Sequence, residues 1–104
     1  MDLFLCEIRN TIYQLPALRL RITGQVQGVF FRARSKEQAD LLGIKGWVRN
    51  LEDGSVEIDA EGSADQLKIF TEWCHHGPPS AIVDHVEAKE VSEEGQTSFT
   101  ILPS

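Results

Sequence analysis

Between Gly24 and Arg32 the chain reads GQVQGVFFR, a glycine-flanked stretch that separates a strand-like run from a helix-like one. A turn of that composition gathers successive backbone N–H groups around one point, and the N-terminus of the following helix adds its positive end to the same place. Gln25, Val26, Gln27, Gly28, Val29, Phe30 and Phe31 are therefore candidates for an anion cradle made of main chain. Arg32 falls in the first turn of the helix, where the dipole mildly disfavours a cation, so its position calls for a reason beyond local stability. A guanidinium clamped on phosphate oxygens supplies one. Asn50 is the second candidate. It ends a strand-like run just before a turn, and it reads either as a turn residue bonded to its own backbone or as an amide that projects past the sheet and orients a water. Together these groups would hold a phosphoryl group and present a water to it.

Hydrophobic periodicity supplies the elements that must position them. Leu18, Leu20 and Ile22 alternate with Arg19, Arg21 and Thr23, which predicts a strand with one buried face feeding the loop. Phe31 to Leu42 reads as a helix with Ala39 and Leu42 inward and Gly43 as its stop. Ile44 to Asn50 and Val56 to Glu61 read as strands joined through Asp53-Gly54, a hairpin signal. Ser63 and Gln66 fit a capping box, Leu67, Phe70 and Cys74 share a helical face, and Gly77-Pro78-Pro79 closes that helix. Ile82 to Val91 follows as a long edge strand, with Phe99 to Leu102 as a short closing one. The order is that of an α+β, ferredoxin-like (split βαβ) sandwich, with two helices on one face of a mostly antiparallel sheet of four to five strands. This topology brings Asn50 toward the 24–32 loop. Fold alone leaves the function open, because the same architecture serves enzymes, metal carriers and RNA-binding domains.

Composition narrows the field. A chain of 104 residues with 41% hydrophobic content reads as one domain able to bury its own core. No apolar run approaches the roughly 20 residues of a membrane helix, and the opening residues lack the basic start and cleavage site of a signal peptide, so the expected compartment is the cytoplasm. Cys6 and Cys74 read as free thiols. The net charge of -6 is uneven: residues 17–50 carry 7 cations against 2 carboxylates, or +5, whereas from residue 51 onward 2 lysines face 12 carboxylates, or -10. A cationic region on an acidic protein suits a small anion and repels long polyanions such as DNA or RNA.

At this point the residues are recognisable. Ile22-Thr23-Gly24-Gln25-Val26-Gln27-Gly28-Val29-Phe30-Phe31-Arg32, with Gly46-Trp47-Val48-Arg49-Asn50, Gly54, Val56 and Gly62, resembles the paired signatures of the acylphosphatase family. The resemblance spans about Leu18 to Leu102. It implies an α/β-sandwich enzyme that hydrolyses the carboxyl-phosphate bond of small acyl phosphates without metal or cofactor, acting as a monomer. It places the catalytic arginine on Arg32, the catalytic asparagine on Asn50 and the phosphate cradle on the backbone from Gln25 to Phe31. Gln25 departs from the basic residue common there in relatives. Residues 1–16, with Leu3, Phe4, Leu5, Ile8, Ile12 and Tyr13, read as an extension preceding a domain of residues 17–104.

Other features take plainer readings. Cys74-His75-His76 are neighbours on a helix and point apart, with no second cluster to complete a metal site. Asp53, Glu57, Asp59 and Glu61 read as a solvated hairpin face, and Arg49 as solvent-facing. Trp47 and Trp73 read as packing residues. Two other function classes stay in view: a phosphate-binding module, since such domains also occur within larger maturation proteins that use carbamoyl phosphate, and an RNA-binding domain, against which stand the acidic charge and the absence of interleaved aromatic and basic strand residues.

Overall fold

The computed structural model describes residues 17–103. The expected extension of residues 1–16, Cys6 included, lies outside the described residues. Among the described residues five strands form a single sheet in the order β4-β1-β3-β2-β5, where β1 is Ala17–Gln25, β2 Lys45–Asn50, β3 Val56–Glu61, β4 Ile82–Val91 and β5 Phe99–Ile101. Neighbours run antiparallel except β2 and β5, which are parallel. The helices α1 (Phe31–Leu42) and α2 (Ala64–Cys74) follow β1 and β3. The period-2 alternation read from the sequence builds the buried face: Leu20 and Val48 both pair in register with Ile58, and all three are fully buried. Phe31 and Ala39 of α1 and Leu67, Phe70 and Cys74 of α2 complete that core.

Local signals set the ends of the helices. Gly43 caps α1 in the left-handed conformation, with its N–H on the carbonyls of Ala39 and Asp40. Ser63 and Gln66 form a reciprocal capping box at the start of α2. Near the end of β1 the register with β4 slips between Thr23 and Gly24. Gly24 has φ +127, and a Cβ there would lie 2.2 Å from the Ile82 carbonyl oxygen, so only glycine lets β4 approach where the chain turns out of the sheet.

The outer face of the sheet corrects the expectation of a solvated acidic hairpin. Asp59 is 1% exposed and Glu61 4%. Asp59 sits opposite Arg19, whose Nε and Nη2 donate to Oδ2 at 3.1 and 2.8 Å. Burial pushes the Asp59 carboxyl above its ordinary range, with Arg19 opposing the shift. Glu61 accepts hydrogen bonds from the backbone N–H groups of Glu94 and Gln96 at 2.6 and 3.0 Å, which anchors the connection crossing from β4 at one edge to β5 at the other. Arg49 is exposed, as expected, and there it pairs with Glu57 at 2.7 Å and lies over the Trp47 ring, which Arg19 approaches as well. Trp73 packs among Phe31 and Phe70, as expected.

Candidate active site

The chain leaves β1 through residues 26–30 and enters α1 at Phe31. Gly28 turns the loop at φ +75, and Phe30, at φ 68 and ψ 21, is the N-cap of α1 in the left-handed region. The helical ladder begins where the Arg34 N–H reaches the Phe30 carbonyl at 3.0 Å, so the N–H groups of Phe31, Arg32 and Ala33 have no carbonyl within the helix to serve. Among the described residues no side chain caps this end, and no acid occupies the first turn. The positive end of the dipole is thus left uncompensated by the helix itself, which favours an incoming anion.

Arg32 is fixed from the far end of the chain. Its Nη1 donates to the Leu102 carbonyl at 3.1 Å, and Leu102 in turn donates its N–H to Val48 of β2 at 2.9 Å. Lys36, one turn along α1, donates to the Phe99 carbonyl at 3.0 Å and to Asp40. Two cations on one helix face therefore hold a carbonyl of β5 and the carbonyl just after it, and among the described residues no carboxylate pairs with the guanidinium. Sequence reading reached Arg32 but had no access to this brace, because its partner is a main-chain carbonyl distant in sequence.

A cavity of about 490 Å³ brings the candidates together, with Val26, Gly28, Phe30, Phe31 and Arg32 on one side and Asn50, at the end of β2, on another. Ala33, Ile101, Leu102 and Pro103 complete its wall. Gln25, Val29 and Gln27 are not part of that lining. Gln25 is exposed and pairs with Ile82 in the sheet. Val29 packs on the core and accepts a hydrogen bond from Ser80 at 3.1 Å. The Gln27 side chain turns to the β2–β3 hairpin, where Nε2 donates to the carbonyls of Leu51 at 2.7 Å and Ser55 at 2.9 Å. That role was invisible in the sequence analysis, which used only the Gln27 main chain.

Arg32 carries the only formal charge among the described residues lining the cavity, and no acid, thiol or imidazole lines it. The arrangement can bind an anion and orient a neutral nucleophile, but it offers no side-chain base. Cys74 is buried in the core, where desolvation pushes its thiol far up, while His75 and His76 are exposed. Among the described residues no group of three or more His, Cys, Asp or Glu side chains is placed to hold a metal ion, and no helix is long and apolar enough to cross a membrane.

Comparison with known proteins meets this geometry. The family model described as Acylphosphatase matches residues 18–101. An acylphosphatase from Marinobacter nauticus is 56% identical over 72 residues, which cover 69% of this chain and 78% of that one. The chain belongs to the acylphosphatase family. An acylphosphatase structure from Coxiella burnetii superposes with a TM-score of 0.83 at 38% identity, covering 86% of this chain and 94% of the other. Full-length HypF in its phosphate- and nucleotide-bound form also matches, at 28% identity and a TM-score of 0.77, over 90% of this chain but 12% of HypF. As an acylphosphatase family member, the protein is a hydrolase acting on acyl phosphates.

Proposed function

We propose that the substrate's phosphoryl oxygens sit against the N–H groups of the loop and first helical turn within residues 25–31 and against Arg32, while Asn50 orients the attacking water. The observation that carries this reading is the shared cavity: the uncapped N-terminus of α1, Arg32 and Asn50 border one space. Water attacks phosphorus, the bond from phosphorus to the acyl oxygen breaks, and the products are a carboxylate and inorganic phosphate. A carboxylate is a good leaving group, so holding the phosphoryl charge in line with the water supplies most of the catalysis. With no side-chain base among the described residues lining the cavity, the water's proton passes to a phosphoryl oxygen of the substrate. The protein acts on small acyl phosphates as a monomer, without nucleic acid or membrane as partner.

The test is hydrolysis of benzoyl phosphate by purified protein in chelator, alongside Arg32→Gln and Asn50→Ala. Each variant should stay folded and lose on the order of 100- to 1,000-fold in kcat/KM, the usual cost of removing one electrostatic clamp. Near-native turnover in either variant would remove that residue from the mechanism. The match to one segment of HypF keeps a binding-module reading in view, and saturable phosphate binding without turnover would favour it.

A further inference from the structure

Phe30 carries an unusual combination of features. Its φ of 68 makes it the one non-glycine residue in the left-handed region among the described residues, a conformation in which a Cβ crowds the main chain. Glycine or asparagine would take that position with less strain, and the bulk of phenylalanine earns nothing from the core, since the residue is 74% exposed. The ring contacts of Phe31, Phe70, Trp73 and Phe99 do not include it. Among the described residues no ring contact offsets the backbone strain or covers the exposed ring, a pattern that marks functional positions.

The ring has a place where it can be used. Phe30 lines the same cavity as Arg32 and Asn50, and Ile101, 39% exposed, and Pro103 line that cavity too. A space of about 490 Å³ is in the range that holds a small organic molecule, larger than a bare phosphoryl group requires. Among the described residues its single charge is Arg32, and the part of a ligand lying beyond the phosphoryl group can meet the apolar side chains of Phe30, Ile101 and Pro103. Resting on the substrate placement proposed above, we infer that Phe30, with Ile101 and Pro103, forms a platform for the acyl side of the substrate and selects aromatic or other apolar acyl groups over small polar ones. The preference comes from covering exposed ring surface and from ring-on-ring contact.

The experiment is calorimetric titration of the intact protein with two non-hydrolysable acylphosphonates, benzoylphosphonate and acetylphosphonate, for the wild type, Phe30→Gly and Phe30→Tyr. The wild type should bind the benzoyl compound about tenfold more tightly, within the range expected of a hydrophobic subsite. Phe30→Gly should bring that ratio close to one, and Phe30→Tyr should keep it. Equal affinities in the wild type, or a ratio that Phe30→Gly leaves untouched, would overturn the platform. Hydrolysis of benzoyl and acetyl phosphate, measured in parallel, separates the claims: a retained phosphonate preference without turnover would sink the hydrolytic mechanism and leave the platform standing.

Discussion

Gln27 and Leu51, one in the loop after β1 and the other in the turn after Asn50, are joined by a hydrogen bond of 2.7 Å from the glutamine Nε2 to the leucine carbonyl. The same nitrogen reaches the Ser55 carbonyl at 2.9 Å. One amide therefore reaches both ends of the turn that joins β2 to β3 and ties the hairpin to the loop that opens α1. The consequence is distance control, because the proposed anion-binding helix end and Asn50 belong to separate elements whose spacing the sheet alone does not set.

Replacing Gln27 with alanine removes both bonds and should cost about 1–2 kcal/mol of stability, with about a tenfold fall in kcat/KM as the loop drifts from the hairpin. Gln27→Glu is the sharper probe. A carboxylate offers no donor to the carbonyls and repels them, so it should be worse than alanine in both respects. Chemical denaturation and steady-state kinetics on the pair decide the matter; a Glu variant that behaves like the wild type would disprove the bridging role.

Arg32→Lys keeps the charge but loses the fork that serves the Leu102 carbonyl with one nitrogen while leaving others for an anion. The expected result is about a hundredfold drop in kcat with little change in melting temperature. Weaker competitive inhibition by inorganic phosphate should accompany it. Full activity in the lysine variant would show that a point charge suffices and that the brace to β5 is incidental.

The sheet and helices were legible in the sequence because each signal is local. Alternation in β3 gave Val56, Ile58 and Ala60 to the core, and Ser63, Gln66 and Gly43 marked helix ends by their own chemistry. What period-2 reasoning lost was the other face. It assigned Asp59 and Glu61 to water, whereas Arg19 covers the first through cross-strand register and the connection after β4 covers the second. Both partners come from distant sequence, as do those of Arg32 and Gln27. Residue types pointed to the chemistry proposed for the site; the contacts that hold it depend on register and on main-chain carbonyls, which carry no sequence signal.

Glu61 offers a test of that hidden layer. Its carboxylate holds two backbone N–H groups of the crossing connection in a buried setting, and bonds of this charge-assisted kind contribute about 1.5–3 kcal/mol each. Glu61→Ala should destabilise the fold by about 2–4 kcal/mol. It should also loosen β5, whose exit braces Arg32, so activity should fall well below the melting transition. Unchanged stability would mean that the connection holds itself.

Asp53 gives the hairpin a pH signature. The Ser55 hydroxyl, then the Ser55 backbone N–H, and the Arg21 guanidinium hold its carboxyl down at about 2, below the ordinary 3.8. A depressed folded-state value contributes stability that is present above the unfolded value and is lost as pH falls through about 2. Asp53→Asn retains an acceptor oxygen but not the charge. It should melt below the wild type at pH 5 to 7, and the gap should close as pH drops from about 4 toward 2. A gap that persists at pH 2 would assign the stabilisation to hydrogen-bond geometry alone.

Phe30 predicts an opposition between stability and recognition. Asparagine tolerates the left-handed conformation far better than phenylalanine, so Phe30→Asn should stabilise the protein by about 1 kcal/mol, raising the melting temperature by a few degrees. A gain in stability coupled to a lost preference for aromatic acyl groups would mean that the strain is retained for the ring it displays. If the asparagine variant melts at or below the wild-type temperature, the loop imposes the left-handed turn at no cost to phenylalanine, and the exposed ring must be explained without strain.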